Sequence, residues 1–88
     1  MMEPLTLTDA KNEMTVAKTL AGALVSGSAR PVVTFSGSHA TITARVQGDG
    51  RWMVSGTFGA CYVGKDSQTP NLSTEQAVAC IVSLARTN

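Results

Sequence analysis

The sequence predicts an α+β fold, an antiparallel meander of three to four strands with an N-terminal and a C-terminal helix packed on one of its faces. Three observations predict it. A stretch of helical periodicity opens the chain, three runs rich in β-branched and aromatic residues alternate in its middle, and a capped apolar helix closes it. The 88 residues suit one domain over 1–88, with residues 1–6 as a loose N-terminal segment. A chain this short buries only about 60 to 65% of its unfolded surface, so each core side chain matters.

The first element spans residues 8 to 26, "TDAKNEMTVAKTLAGALVS", where Ala10, Met14, Ala17, Ala21 and Leu24 recur three or four apart. This predicts one amphipathic helix. Thr6 or Thr8 caps its start, Asp9 suits the positive end of the helix dipole, and Gly27 is a natural C′ residue. Gly22 costs about 1 kcal/mol relative to Ala in mid-helix. Either close backbone packing or simple tolerance explains it.

Three strands follow, "VVTF" (32 to 35), "ATITARV" (40 to 46) and "RWMVSGTF" (51 to 58). Pairing register decides which side chains share a face, and a slip of one residue reverses the faces. A three-residue loop of Gly48, Asp49 and Gly50 pairs Val46 with Trp52, Ala44 with Val54, Ile42 with Gly56 and Ala40 with Phe58. Apolar faces then coincide, and Gly50 supplies the left-handed residue that a type I turn with a G1 bulge needs. A two-residue turn at Gly37 and Ser38 pairs Phe35 with Ala40 and Val33 with Ile42. After Phe58, "GACYVGKD" either turns at Gly59 and Ala60 into a short fourth strand, with Cys61 and Val63 facing the core, or continues the third strand through a bulge.

Residues 64 to 72, "GKDSQTPNL", read as a loop by composition. Ser73 then opens a helix with Gln76 three residues on, a capping box, and Leu72 and Ala77 stand where a hydrophobic staple places them. Ala77, Cys80, Ile81 and Leu84 form its apolar stripe, widened by Val78 and Val82. Arg86 suits its C-terminal end.

With both helices on one face, the other face is left to solvent, lined by Thr34, Thr41, Thr43, Arg45, Gln47, Arg51, Met53, Ser55 and Thr57. The last strand leaves an edge open for pairing, including pairing with a second copy. This face and edge are the candidate binding surface.

Composition narrows the function. Seven Lys and Arg stand against six Asp and Glu, a net charge near +1, so no global field draws the protein to nucleic acid or an anionic membrane. "MMEPLTLTDAKNE" lacks the apolar run of a secretory signal, and no segment reaches transmembrane length, which points to the cytoplasm. Cys61 and Cys80 read as two small apolar thiols, with a disulfide as the second reading. Two Cys and one His are too few for a zinc site unless carboxylates join them. His39 sits in a predicted turn, the acids are scattered, and "VQGDG" lacks the ending of a phosphate loop. No catalytic residues, metal ligands or cofactor are assigned.

From "GSHATITARV" through "GDGRWMVSGTFG" to "STEQAVACIVSLA", over roughly residues 29 to 86, the chain resembles a double-stranded-RNA-binding domain. The resemblance implies an α-β-β-β-α order and a minor-groove contact at His39. Where that family carries a lysine cluster at the start of its last helix, this chain has Ser73, Thr74, Glu75 and Gln76, and "ACYVGKDSQTPNL" stands ahead of it. In size and lack of motifs the chain is also similar to small phage inhibitors such as anti-CRISPR proteins. The expectation is therefore a small non-enzymatic binding module, an inhibitor or adaptor that docks on a larger protein or nucleoprotein. The alternative is weak RNA or DNA binding through His39, Arg45, Arg51 and Lys65.

Overall fold

The structure, a computed structural model, describes residues 5–27, 30–38, 40–58 and 65–87, with the backbone alone for 58, 65–67 and 87. It is an α+β fold around one five-stranded sheet. In chain order the elements are β1 (Leu5–Thr6), α1 (Leu7–Ala10), α2 (Glu13–Leu24), β2 (Val32–Ser36), β3 (Ala40–Val46), β4 (Trp52–Phe58), β5 (Lys65–Leu72) and α3 (Thr74–Thr87). The strands lie side by side in sequence order, β1 parallel to β2 and the rest antiparallel.

The central hairpin has the expected register, from Val46 opposite Trp52 to Ala40 opposite Phe58. Its loop is the one the glycines require. Gln47 donates its backbone N–H to the Arg51 carbonyl at 2.7 Å, Gly50 donates to the Gln47 carbonyl at 3.0 Å, and Gly50 has φ 82°. Trp52 and Val54 are consequently fully buried beside Ile42 and Ala44.

The β2–β3 hairpin differs from expectation by two residues. Phe35 faces Ile42 and Val33 faces Ala44, and Gly37 donates to the Ala40 carbonyl at 2.8 Å. A slip of two preserves which side chains face the core, since strand side chains alternate with period two. The shift sets Gly37 beneath Leu7, so close that a β-carbon at Gly37 would overlap the Leu7 side chain.

The segment expected to be a loop forms β5, an edge strand. Gln68, Thr69 and Pro70 are exposed one after another, so no alternation marks the strand in the sequence. Between Trp52 opposite Leu72 and Val54 opposite Thr69 the register shifts, leaving Pro70 and Asn71 against Met53. This is a bulge, one of the positions in a sheet that accept a proline, and Asn71 within it has φ 61°. The short strand and turn expected over residues 59–63 lie outside the described residues.

At the N-terminus two expectations change. Leu5 and Thr6, expected in a loose segment, form β1, and the single helix expected over 8–26 is broken in two. Thr6 and Asp9 close a capping box around α1, with Thr6 N–H to Asp9 Oδ2 at 2.9 Å and Asp9 N–H to Thr6 Oγ1 at 3.2 Å. Asn12 then caps α2 by accepting from the Thr15 N–H at 3.1 Å. Restarting at Glu13 resets the helical phase. Val16 and Leu20 are fully buried, whereas Met14, expected on the apolar face, is 70% exposed and Leu24 42%. Arg86 reaches across from α3 to the Lys11 carbonyl at the break, at 3.3 Å.

The α3 capping box forms as expected, with Gln76 N–H to Ser73 Oγ at 3.2 Å and Ser73 N–H to Gln76 Oε1 at 2.9 Å. Its buried stripe is Ala77, Val78, Ile81, Val82 and Ala85, with Cys80 and Leu84 half-buried at the margin. All three helices lie against the core side of the sheet, and α3 packs on α2. The β5 strand inserted between β4 and α3 is a departure from the three-stranded layout of the double-stranded-RNA-binding resemblance.

Two glycines give opposite tests. A β-carbon at Gly22 meets nothing within 4 Å, so close packing is not its reason. Gly22→Ala is expected to stabilise the protein by about 0.5 to 1 kcal/mol. Gly50→Ala is expected to destabilise it by about 1 to 2 kcal/mol, the cost of a left-handed conformation for a residue with a side chain. Urea unfolding of both variants measures these shifts.

Candidate docking face and its arginine groove

The sheet has one covered face and one open face because the register lays Phe35, Ile42, Trp52 and Val54 together toward the helices. On the open face Thr34, Thr43, Ser55 and Gln68 form one row across β2 to β5, flanked by Ser36, Thr41 and Thr57 on one side and Val32, Arg45 and Met53 on the other. Thr34, Arg45, Thr57 and Gln68 are exposed; Thr41, Thr43, Met53 and Ser55 are half-buried by their neighbours in the sheet. Ser55 Oγ leans on the Thr43 carbonyl at 3.5 Å.

Arg45 and Arg51, both expected on the open face from the sequence, have different environments. Arg51 Nε donates to the Asn71 carbonyl at 3.1 Å while Gln47 Oε1 accepts from the Asn71 N–H at 3.1 Å. The Arg51 N–H also donates to Asp49 Oδ1 at 3.1 Å. Gln47 and Arg51 thus hold both backbone polar groups of the left-handed Asn71 and fasten the β3–β4 loop to the β5 bulge. They are fasteners, although Arg51 remains exposed.

Arg45 points elsewhere. The β2–β3 ladder continues past Val32 through the Val46 N–H to the Pro31 carbonyl at 3.2 Å. That continuation puts Arg30 level with Gln47, on the open-face parity of Val32 and Thr34. Arg30, Val32, Arg45, Met53 and hairpin residues 46–48 line a shallow groove of about 450 Å³. Val32 is 56% exposed within it. Among the described residues no hydrogen bond or ion pair engages the guanidinium of Arg30 or of Arg45. Sequence reasoning missed Arg30 because "SARP" reads as a helix stop; the register of Val32 against Arg45, extended by two residues, is the signal that finds it.

Other sequence-based candidates divide as follows. His39 and Cys61 lie outside the described residues, and the side chain of Lys65 does too, its backbone pairing with Phe58. Cys80 is a free, half-buried thiol. Burial pushes its pKa up, against a lowering by the hydrogen bond with the Thr69 side chain, so at neutral pH it is a protonated, weakly nucleophilic group. Among the described residues no three His, Cys, Asp or Glu side chains gather as a metal site. At the start of α3, Ser73 and Gln76 cap one another and Thr74 Oγ1 accepts from Trp52 Nε1 at 3.1 Å. Of the four residues that stand where the RNA-binding family has lysines, Ser73, Thr74 and Gln76 are therefore occupied within the fold, and Glu75 is exposed.

The division between the arginines predicts a division in stability. Gln47→Ala and Arg51→Ala are each expected to lower stability by about 0.5 to 1.5 kcal/mol through lost hydrogen bonds, and Arg45→Ala to leave it within about 0.5 kcal/mol. Thermal and urea unfolding of the three variants decide it. No protein-family model, curated protein or solved structure matches this chain.

Proposed function

We propose that the protein is a small non-enzymatic binding module, an inhibitor or adaptor of the phage or mobile-element anti-defence type, that docks on a larger protein or nucleoprotein complex in the cytoplasm. The observation that carries the reading is the open sheet face. Its rows of Thr and Ser present hydroxyls and methyls on a rigid support while all three helices lie on the opposite side. Such a face offers a partner shape and hydrogen bonds at small entropic cost, because short β-branched side chains have little rotamer freedom to lose. Among the described residues no helix is long and apolar enough to cross a membrane, and the reading assigns no membrane contact.

Self-association through an edge is the less favoured route. The β5 edge carries Pro70 and a bulge, two features that discourage strand addition, and β1 at the opposite edge has two residues.

The test is an affinity capture from host lysate, run with and without nuclease, comparing the wild type with a Thr43→Lys, Ser55→Lys variant and with Lys18→Glu on the helical side. The reading expects a nuclease-resistant protein partner that the open-face variant loses and the helix variant keeps. Capture of nucleic acid alone, with proteins vanishing after nuclease, would instead support the alternative of RNA or DNA binding.

A further inference from the structure

We propose that the groove between Arg30 and Arg45 receives an acidic, aliphatic-bearing peptide segment of the protein partner, with carboxylates on the two guanidinium groups and an aliphatic side chain against Val32 and Met53. This deepens the docking reading and rests on it.

Charge complementarity selects the occupant. Two arginines line one groove, and neither guanidinium is engaged by a described residue, although Arg51, in the same hairpin as Arg45, is tied down on Asn71. Two guanidinium groups lining one groove repel, and a carboxylate relieves that repulsion while matching their planar donor geometry. The apolar part of the lining then separates a peptide from a nucleic acid. Val32, 56% exposed, and half-buried Met53 offer contacts to an aliphatic side chain. Single-stranded nucleic acid asks for aromatic stacking partners, and among the described side chains both aromatics, Trp52 and Phe35, are fully buried on the opposite face. Duplex binding asks for a run of phosphate-neutralising cations, and the first turn of α3 has none, its Ser73 and Gln76 already capping one another. A short acidic segment needs only the two cations that the groove supplies.

The probe is a capped octapeptide with the repeat Glu-Glu-Leu-Leu, which in extended form presents acidic and aliphatic side chains alternately on each side. It is titrated into the isotope-labelled protein and followed by amide chemical shifts. Controls are the peptide with Gln in place of Glu, and a short RNA duplex. The expected result is saturable shifts confined to residues 30, 32, 45–48 and 53, weakened about fivefold by Arg30→Gln or Arg45→Gln and tenfold or more by the pair, with Lys18→Gln on the helical side without effect. The Gln peptide is expected to bind at least tenfold more weakly. Equal binding by the Gln peptide, shifts scattered over the surface, or no shifts at millimolar peptide would each overturn the inference. Tighter binding of the RNA duplex at the same amides would overturn it in favour of nucleic acid. If the peptide fails while the Thr43→Lys, Ser55→Lys variant still loses its partner, the acidic-segment inference falls and the docking reading stands.

Discussion

Trp52 holds the arrangement together. It is the one tryptophan in the chain, it is fully buried, and its indole N–H finds an acceptor at the head of α3, Thr74 Oγ1 at 3.1 Å. A buried indole is worth a few kcal/mol in apolar contact, provided its N–H is not left without a partner. Trp52 also stands opposite Val46 at the mouth of the central hairpin, so its placement fixes the parity of β3 and β4 together. Once that parity is set, Ile42, Ala44 and Val54 must face the helices and Thr43, Arg45 and Ser55 must face away. The open face follows from a core requirement.

A second constraint acts at the far side of the same hairpin. Asn71 adopts a left-handed conformation that lets β5 bend around the end of β4, and its two backbone polar groups are met by Gln47 and Arg51. The loop, the bulge and the start of α3 are thereby joined within a few residues. This junction engages Arg51, whereas no hydrogen bond or ion pair from a described residue holds the guanidinium of Arg30 or Arg45. Charge counted along the sequence cannot distinguish these roles; the hydrogen bonds do.

Much of this was legible in the sequence wherever one side of an element is buried. The central hairpin, the buried Trp52, the α3 cap and the identity of the open face all follow from alternation or capping chemistry. The β2–β3 register missed by two yet kept its faces, because only odd slips exchange core and solvent. Two features were not legible for the converse reason. From Gln68 to Asn71 in β5 neither face is buried, so Gln68, Thr69 and Pro70 carry no periodic signal. The break at Lys11 and Asn12 interrupts an otherwise continuous helical pattern, and its effect on phase, moving burial from Met14 to Val16 and Leu20, depends on caps that compete along the same stretch. In the candidate site, Arg45 and Met53 were visible from strand alternation; Arg30 was not, because it precedes the β-branched run, in a stretch that reads as a helix stop, and joins the ladder only through its continuation at Pro31.

The most direct measurement is acrylamide quenching of Trp52 fluorescence in the native protein and in urea. Burial against α3 predicts a blue-shifted native emission that acrylamide quenches poorly, becoming red-shifted and strongly quenched on unfolding, with Thr74→Val perturbing the native spectrum. Native emission as red-shifted and as readily quenched as that of the unfolded chain would place Trp52 on the solvent side. It would reverse the faces of the sheet and with them the proposed docking surface.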